Sequence, residues 1–192
     1  RLGKAEIKDG VTITGFKNSD VTTTGGVEHS GKGPVFVDGT LTMSGGTIKE
    51  NIVQNGETVW NGGGGGVYVG ATGNFIMKGG TITKNKASGY NTSVGGSGVY
   101  VQGQFKMEGG TIEDNELAYA GGGVLVGGGT FNMEGGKITK NKSDRGKGVM
   151  VRGGTFNWYG GEITVNEGLG NAVVTEEGGA FNNNTNPHQN PS

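Results

Sequence analysis

A segment of eleven residues, present in five copies, constrains the fold of this chain more than any other feature. It reads LTMSGGTIKEN at 41–51, and the later copies are FIMKGGTITKN at 75–85, FKMEGGTIEDN at 105–115, FNMEGGKITKN at 131–141 and FNWYGGEITVN at 156–166. The intervals between copies fall within the range of about 20–50 residues that is typical of stacked repeat proteins. The chain is therefore expected to be built from similar units that pack on one another.

A second, shorter motif of the form V-x-V lies between these copies. It occurs as PVFV at 34–37, GVYV at 66–69, GVYV at 98–101, GVLV at 123–126, GVMV at 148–151 and, in a weaker form, NAVV at 171–174; an opening half-copy, VTITGFKN, stands at 11–18. Apolar and polar residues alternate within the motifs, and glycine pairs or asparagines separate them, which indicates short β-strands joined by tight turns. Each repeat therefore holds three strands and leaves no room for a helix.

Three strands in each repeat can bury their inward side chains only if the chain coils and each coil stacks on the one before. We therefore predict an all-β fold, a parallel β-helix (solenoid) of about six coils with three short strands in each coil. The predicted repeats are centred on 11–37, 41–69, 75–101, 105–126, 131–151 and 156–174. They make one domain at 1–178, and the Asn/Pro-rich segment at 179–192 is predicted to be a tail or linker.

Stacking places equivalent residues of successive repeats in columns along the solenoid. Three columns are apolar throughout and are predicted to face inward: Leu41, Phe75, Phe105, Phe131 and Phe156; Met43, Met77, Met107, Met133 and Trp158; and Ile48, Ile82, Ile112, Ile138 and Ile163. The column Asn51, Asn85, Asn115, Asn141 and Asn166 is predicted to form a ladder of hydrogen-bonded amides. Glycine supplies 45 of the 192 residues, and the glycine pairs of the long motif are predicted to lie at corners that need positive φ.

Charged residues also align in columns on the predicted outer surface. Glu50, Lys84, Asp114 and Lys140 alternate in sign along one column, and Lys137 is expected to lie above Glu162. Such cross-strand pairs contribute roughly 0.2–1 kcal/mol each. We interpret them as surface pairs that help to set the register of the coils.

The composition excludes several classes of function. The 16 basic and 17 acidic residues give a net charge of −1, which removes the electrostatic basis for binding nucleic acid. The chain has no cysteine, so a disulfide scaffold, a thiolate zinc site and a cysteine nucleophile are excluded. No apolar run is long enough to predict a membrane-spanning helix in this segment, and no cofactor is predicted. Because the chain begins at Arg1 without a methionine, we interpret it as a fragment or a processed chain. Both ends of a solenoid expose unpaired strand edges, so we expect further β-helix or anchoring domains in the full-length protein.

Two features of the sequence suggest a ligand-binding surface. If the flanking valines of V-x-V point inward, an apolar stripe is exposed on the outside, consisting of Phe36, Tyr68, Tyr100, Leu125 and Met150. The loops before V-x-V grow shorter along the chain and carry Trp60, Tyr90 and Tyr119 beside this stripe. Exposed apolar patches mark contact surfaces, and loops on a rigid scaffold often bind ligands. The sequence leaves open whether the stripe is such a surface or is covered by the loops.

Catalytic and metal-binding candidates are few. Glu108 and Glu134 are neighbours in their column and could form a weak calcium site or the beginning of a carboxylate pair. Outward positions on a rod are solvated, so we expect both side chains to extend into water. No catalytic residue and no metal site are predicted.

The repeats G-G-G-V-Y-V and F-x-M-x-G-G-x-I-x-x-N resemble the right-handed parallel β-helix repeats of bacterial surface proteins, in the style of polymorphic outer membrane proteins and autotransporter passengers. The resemblance covers most of residues 11–174. It implies a right-handed coil and an adhesin-like module outside the cell, associated with the bacterial surface or outer membrane. Such a module is expected to act as a rigid scaffold that binds a host protein, a matrix protein or a glycan along its loop-bearing edge.

A carbohydrate-active enzyme is the alternative, because polysaccharide lyases and hydrolases share the β-helix fold. A carbohydrate-binding domain without catalysis belongs to the same alternative. The sequence shows no compact acidic cluster with an arginine partner, so we expect the chain not to be an enzyme.

Overall fold

The computed structural model describes residues 3–18, 32–54, 63–88, 95–117, 120–164, 166–167, 171–176 and 178–185. Within these ranges the chain forms 23 short β-strands and no helix. All strand pairs that join these elements are parallel. The predicted all-β parallel solenoid is therefore confirmed. The right hand of its coil, which the resemblance implied, stays a prediction.

The strands follow one another along the chain at short intervals. In order they are β1 (Lys4–Ile7), β2 (Thr12–Thr14), β3 (Lys17–Asn18), β4 (Val35–Val37), β5 (Thr40–Met43), β6 (Thr47–Lys49), β7 (Ile52–Gln54), β8 (Val67–Val69), β9 (Asn74–Met77), β10 (Thr81–Thr83), β11 (Lys86–Ser88), β12 (Val99–Val101), β13 (Gln104–Met107), β14 (Thr111–Glu113), β15 (Glu116–Leu117), β16 (Val124–Val126), β17 (Thr130–Met133), β18 (Lys137–Thr139), β19 (Val149–Val151), β20 (Thr155–Trp158), β21 (Glu162–Thr164), β22 (Val173–Thr175) and β23 (Ala180–Asn183).

These strands make four stacked sheets, which we name after their inward residues or their size. The Phe sheet has the order β1-β5-β9-β13-β17-β20-β23, the Ile sheet β2-β6-β10-β14-β18-β21, the Val sheet β4-β8-β12-β16-β19-β22 and the short sheet β3-β7-β11-β15. One coil of the chain passes through the Val, Phe, Ile and short sheets in turn. We number the coils β1–β3, β4–β7, β8–β11, β12–β15, β16–β18, β19–β21 and β22–β23. The fourth, short sheet was not predicted.

The three apolar columns face the interior, as predicted. Phe75, Phe105, Phe131 and Phe156 are at most 1% exposed, and successive rings stack with centroids 4.6 to 5.0 Å apart. The registers Met77↔Met107 and Ile82↔Ile112 show that the other two columns are aligned in the same way. Because each inward position repeats the same side-chain type, the coils stack without a change of register.

The asparagine ladder is also confirmed. Asn115 is fully buried, and its Nδ2 donates to Asn141 Oδ1 at 3.0 Å and to the Ile82 carbonyl oxygen at 3.0 Å. Its Oδ1 accepts from both the backbone N–H and the Nδ2 of Asn85, each at 3.0 Å. Equivalent bonds join Asn51 to Asn85 and Asn141 to Asn166. The ladder satisfies polar backbone groups at a corner that is closed to water.

The first coil departs from this ladder. The register Ile13↔Ile48 places Phe16, not Asn18, at the position of Asn51, and the Phe16 backbone N–H donates to Asn51 Oδ1 at 3.1 Å. Asn18 instead pairs in register with Val53. The half-copy at 11–18 therefore matches the later repeats in strand β2, but its asparagine does not occupy the ladder position.

The corners between the Phe and Ile sheets use the predicted glycines. The second glycine of each pair has positive φ: Gly46 79°, Gly80 84°, Gly110 85°, Gly136 85° and Gly161 89°. A side chain at these positions would be strained because the left-handed region suits glycine. The end of the solenoid, however, lies later than predicted. Strand β23 pairs with β20, so the segment placed in the tail at 179–192 begins with a further strand.

Candidate functional site

The predicted apolar stripe is buried, with the exception of Phe36. Tyr68 is 3% exposed, Tyr100 4%, Leu125 1% and Met150 0%. Together with Ala120 they form a second apolar cluster on the outer side of the Val sheet. The prediction that Tyr68 and Tyr100 offer their rings to a ligand is therefore wrong, and of the two alternatives the covered stripe is the one observed.

The cover is a strip of backbone that precedes the V-x-V strands β4, β8, β12, β16 and β19. Its residues Lys32, Gly63, Gly95, Ala120 and Arg145 bridge one another in parallel across successive coils. A Cβ atom at Gly63 would lie 3.1 Å from Tyr100 Cδ2, and one at Gly95 would overlap Leu125 Cδ2. Glycine at these two positions lets the backbone lie directly on the side chains beneath it, while Ala120 takes the same place in the next coil. We call these five residues the covering strip.

The hydroxyl groups of the buried tyrosines are satisfied inside this cluster. Tyr68 Oη donates to Gln102 Oε1 at 2.8 Å, and Gln102 Nε2 donates to Tyr100 Oη at 3.4 Å. Burial raises the pKa of both tyrosines above the usual value. A Cβ at Gly127 would lie 2.5 Å from Tyr100 Oη, so the glycine leaves room for this hydroxyl. The arrangement is that of a packed structural layer.

Phe36 is the one member of the stripe that stays open to solvent. Its side chain is 46% exposed, and Lys32 Nζ lies 4.2 Å from the centroid of its ring. The same ammonium group is 5.3 Å from the ring centroid of Tyr68. These distances are typical of cation–π contacts, so the exposed ring already has an intramolecular cation over one face.

The aromatic residues predicted on the loops, Trp60, Tyr90 and Tyr119, lie outside the described residues. The positions where the chain leaves and rejoins the solenoid are described. It leaves the short sheet after Gln54 and Ser88, which are paired in register, and it returns at Gly63 and Gly95, which bridge each other. The insertions therefore start and end at the same corner of successive coils. We call this corner the loop-bearing edge.

Glu108 and Glu134, the weak metal candidates, are held together by a lysine. Lys106 Nζ lies 3.0 Å from Glu108 Oε1 and 3.0 Å from Glu134 Oε2. The hydrogen bond from Lys106 to Glu108, followed by that to Glu134, raises the pKa of the lysine. The ammonium group thus occupies the place between the carboxylates where a metal ion would have to bind. Across the described ranges, no group of three or more His, Cys, Asp or Glu residues could hold a metal ion.

A second line of amides runs along the outer face of the Phe sheet. Asn182 Nδ2 donates to Asn157 Oδ1 and Asn157 Nδ2 donates to Asn132 Oδ1, both at 2.8 Å. Tyr159 lies at the end of the same strand as Asn157 and is 51% exposed. Amide groups and an exposed aromatic ring therefore share one face. This surface was not predicted, although the spacing of Asn132, Asn157 and Asn182 follows the repeat.

A face of alternating charge lies beside the loop-bearing edge. It consists of two adjacent columns: Glu50, Lys84, Asp114 and Lys140 at the corner, and Ile52, Lys86, Glu116, Lys142 and Glu167 along the short sheet and its extension. The first column was predicted and the second was missed, since the short sheet itself was not predicted. We call this surface the charged face.

The corner column of the charged face has an unusual backbone. Glu50, Lys84, Asp114 and Lys140 all have positive φ, between 53° and 55°. For an ordinary residue the left-handed region costs roughly 1–2 kcal/mol, and glycine, asparagine or aspartate is the common choice there. Asp114 fits this preference, whereas Glu50, Lys84 and Lys140 are not explained by it.

Within the short-sheet column the charges pair. Lys86 Nζ lies 2.8 Å from Glu116 Oε2, and Lys142 Nζ lies 3.7 Å from Glu116 Oε1. The hydrogen bond from Lys86 contributes most to lowering the pKa of Glu116. These groups are largely exposed, so the pairs add little to stability.

Comparisons of the chain with models of known protein families, with curated proteins and with solved structures found no match. In the described part of the chain, no helix has the length and apolarity that crossing a membrane requires. Function has therefore to be argued from the surfaces of the solenoid.

Proposed function

We propose that the chain is a non-enzymatic, adhesin-like module of the bacterial cell surface, a rigid β-helical scaffold that binds a host protein, a matrix protein or a glycan at its loop-bearing edge. One observation carries this proposal: insertions of variable length are concentrated at a single corner. The connections from β5 to β6, β9 to β10, β13 to β14, β17 to β18 and β20 to β21 all contain three residues. Those from β6 to β7, β10 to β11 and β14 to β15 all contain two.

The connections at the loop-bearing edge differ greatly in length. The segment from β7 to β8 has 12 residues, that from β11 to β12 has 10 and that from β15 to β16 has 6. Loops of very different length on an otherwise regular scaffold are a usual place for binding residues. The sequence places Trp60, Tyr90 and Tyr119 in these three segments, and aromatic rings are the side chains that contribute most at binding interfaces.

The scaffold itself supports a role that requires rigidity. The inner columns are closely packed and continue through successive coils, and the buried amide ladder links the coils at one corner. A surface on such a rod is preorganised, so little conformational entropy is lost when a ligand binds. The same packing lets the rod hold a binding edge at a fixed distance from an anchor.

The test is a binding measurement with three loop substitutions in the intact chain. Trp60→Ala, Tyr90→Ala and Tyr119→Ala together should weaken attachment to cells, matrix proteins or arrayed glycans at least tenfold, because truncating interface aromatics typically costs more than about 1 kcal/mol each. The matched control is Tyr159→Ala, an exposed aromatic on another face. Circular dichroism should show that both variants keep the β-sheet fold. Attachment that is unchanged in the triple variant would exclude the loop-bearing edge as the site.

A carbohydrate-binding domain is the second candidate, and the outer face of the Phe sheet favours it. Amide ladders and an exposed ring are suited to sugar hydroxyls and to the apolar face of a sugar ring. In the same experiment, loss of glycan binding in Tyr159→Ala with normal binding in the triple variant would move the site to this face. The catalytic form of this alternative, a lyase or hydrolase, finds no support at Glu108 and Glu134, since Lys106 joins the two carboxylates.

A further inference from the structure

The charged face changes sign from each coil to the next. The third coil presents Lys84 and Lys86, the fourth Asp114 and Glu116, and the fifth Lys140 and Lys142. The second coil contributes Glu50 before these rows and the sixth contributes Glu167 after them. Rows follow one another at the strand spacing of about 4.8 Å. The face is thus a set of parallel stripes, each of one sign.

Pairing within the molecule does not account for the corner column. Lys84, Asp114 and Lys140 are exposed, and among the described residues no ion pair joins any of them to a partner. Among the described residues, the one ion pair of Glu50 is with its chain neighbour Lys49, at 3.6 Å between Lys49 Nζ and Glu50 Oε2. Glu50, Lys84 and Lys140 also occupy left-handed backbone positions, which glutamate and lysine do not favour. Their charge is therefore available to a partner.

The striped charge pattern of one copy is complementary to that of a second copy when a suitable two-fold axis relates the two copies. A two-fold axis perpendicular to the solenoid reverses the order of the coils. If that axis passes between two adjacent coils, every positive row meets a negative row; if it passes through a coil, like charges meet. An axis between the third and fourth coils places Lys84 and Lys86 opposite Asp114 and Glu116 of the second copy. It also places Lys140 and Lys142 opposite Glu50.

From this charge complementarity we infer that the charged face is a homodimer interface, at which two copies of this chain associate antiparallel with an axis between adjacent coils. Two-fold interfaces use the same patch on both copies, and electrostatic complementarity fixes the register of such contacts. The charged face also contains two grooves that side chains of a partner can enter. A shallow groove of about 350 Å³ is lined by Glu50, Ile52, Lys84, Lys86 and Asp114, and one of about 230 Å³ continues from Asp114 to Glu167.

The proposed dimer is expected to be weak. The face spans only five coils along the rod and two columns across it, which is less than the area of about 1,200 Å² that stable complexes bury. The association must therefore be measured at high protein concentration. It should also depend strongly on salt, because the screening length falls from about 10 Å at 0.1 M to about 3 Å at 1 M.

The decisive experiment is sedimentation equilibrium on charge-swapped variants, at concentrations up to about 1 mM. Asp114→Lys/Glu116→Lys makes three successive rows positive, and the fourfold variant Lys84→Glu/Lys86→Glu/Lys140→Glu/Lys142→Glu makes them negative. Each variant alone should associate roughly tenfold more weakly than the unmodified chain, whereas an equal mixture of the two should form a one-to-one dimer at least tenfold more tightly than either alone. The matched control Glu108→Lys/Glu134→Lys makes the same charge change on another face and should dimerise like the unmodified chain.

Three results would overturn the interface: an unmodified chain that stays monomeric at every concentration, a dimer that 1 M salt and both variants leave unchanged, or folded variants that fail to associate when mixed. If a charge-swapped variant does not fold, two other measurements replace it. They are the association of the milder variant Asp114→Asn/Glu116→Gln and the salt dependence of association of the unmodified chain. Because the chain has no cysteine, the register can be read from single cysteines. Asp114→Cys should cross-link with Lys84→Cys or Lys140→Cys, and preferential cross-linking of Asp114→Cys with itself would exclude the proposed axis.

Discussion

At the scale of single residues, the buried asparagines are the polar groups on which the solenoid depends most. Asn115 makes four hydrogen bonds to groups that have no access to water. Asn157 also bonds to an asparagine above and one below, but on the outer face of the Phe sheet. The two residues have similar partners and differ in their access to solvent.

This difference predicts unequal costs for the same substitution. Asn115→Ala should lower the free energy of unfolding by about 3–5 kcal/mol, because it removes the acceptor of two buried Asn85 donors and the Asn115 donor to the Ile82 carbonyl oxygen. Asn141 Oδ1 keeps one bond, from the backbone N–H of residue 115. Asn157→Ala should lower it by about 1 kcal/mol or less, since water replaces the lost bonds. Urea denaturation followed by circular dichroism measures both. Equal losses in the two variants would contradict the assignment of the inner ladder as a structural element closed to water.

At the scale of strands, a glycine precedes four of the V-x-V strands, β8, β12, β16 and β19, and lets the backbone lie close to the core. A Cβ at Gly98 would lie 2.5 Å from the Gly123 carbonyl oxygen, 2.8 Å from Ile112 Cγ2 and 3.1 Å from Asn115 Nδ2. Gly66, Gly123 and Gly148 meet the isoleucine and asparagine of their own coils in the same way. In the third to sixth coils the Val sheet therefore starts beside the amide ladder at a residue without a side chain, whereas Pro34 holds this position in the second coil.

Gly98→Ala should accordingly destabilise the fold by about 1–3 kcal/mol, the usual cost of overpacking a core. Gly128 supplies the control, because a Cβ there would meet nothing within 4 Å. Gly128→Ala should be neutral or stabilise by about 0.4–1 kcal/mol through the unfolded chain. Thermal unfolding of the two variants compares them directly. A neutral Gly98→Ala would show that the close approach at this corner is not required.

The strands also show how far the sequence could predict the structure. The Phe, Met, Ile and Asn columns were predictable because the same residue type returns in every repeat. The short sheet was missed because IVQ, KAS and EL have no residue type in common. The burial of Tyr68 and Tyr100 was left open for a related reason. The covering strip consists of Lys, Gly, Gly, Ala and Arg, which carry no alternation, and its glycines act by lacking side chains.

At the scale of the whole molecule, the solenoid is a one-dimensional stack in which each coil contacts its neighbours. Stability in such proteins is approximately a sum over coils and their interfaces. A coil can therefore be removed if the cut preserves the register. Deleting residues 133–157 joins Asn132 to Trp158, which takes the place of its register partner Met133.

The chain lacking 133–157 should keep an all-β circular dichroism spectrum and unfold at a lower denaturant concentration, since one coil and one interface are lost. Small-angle scattering should show a rod shorter by about 4.8 Å, the spacing of one strand. The matched control deletes 133–156 and joins Asn132 to Asn157, so that an asparagine falls on the inward position of Met133 and each later side chain of that strand changes face. A slip of one residue moves the apolar set to the solvent side, and this variant should aggregate or lose its cooperative transition. Similar stability of the two deletions would contradict the view that column register holds the molecule together.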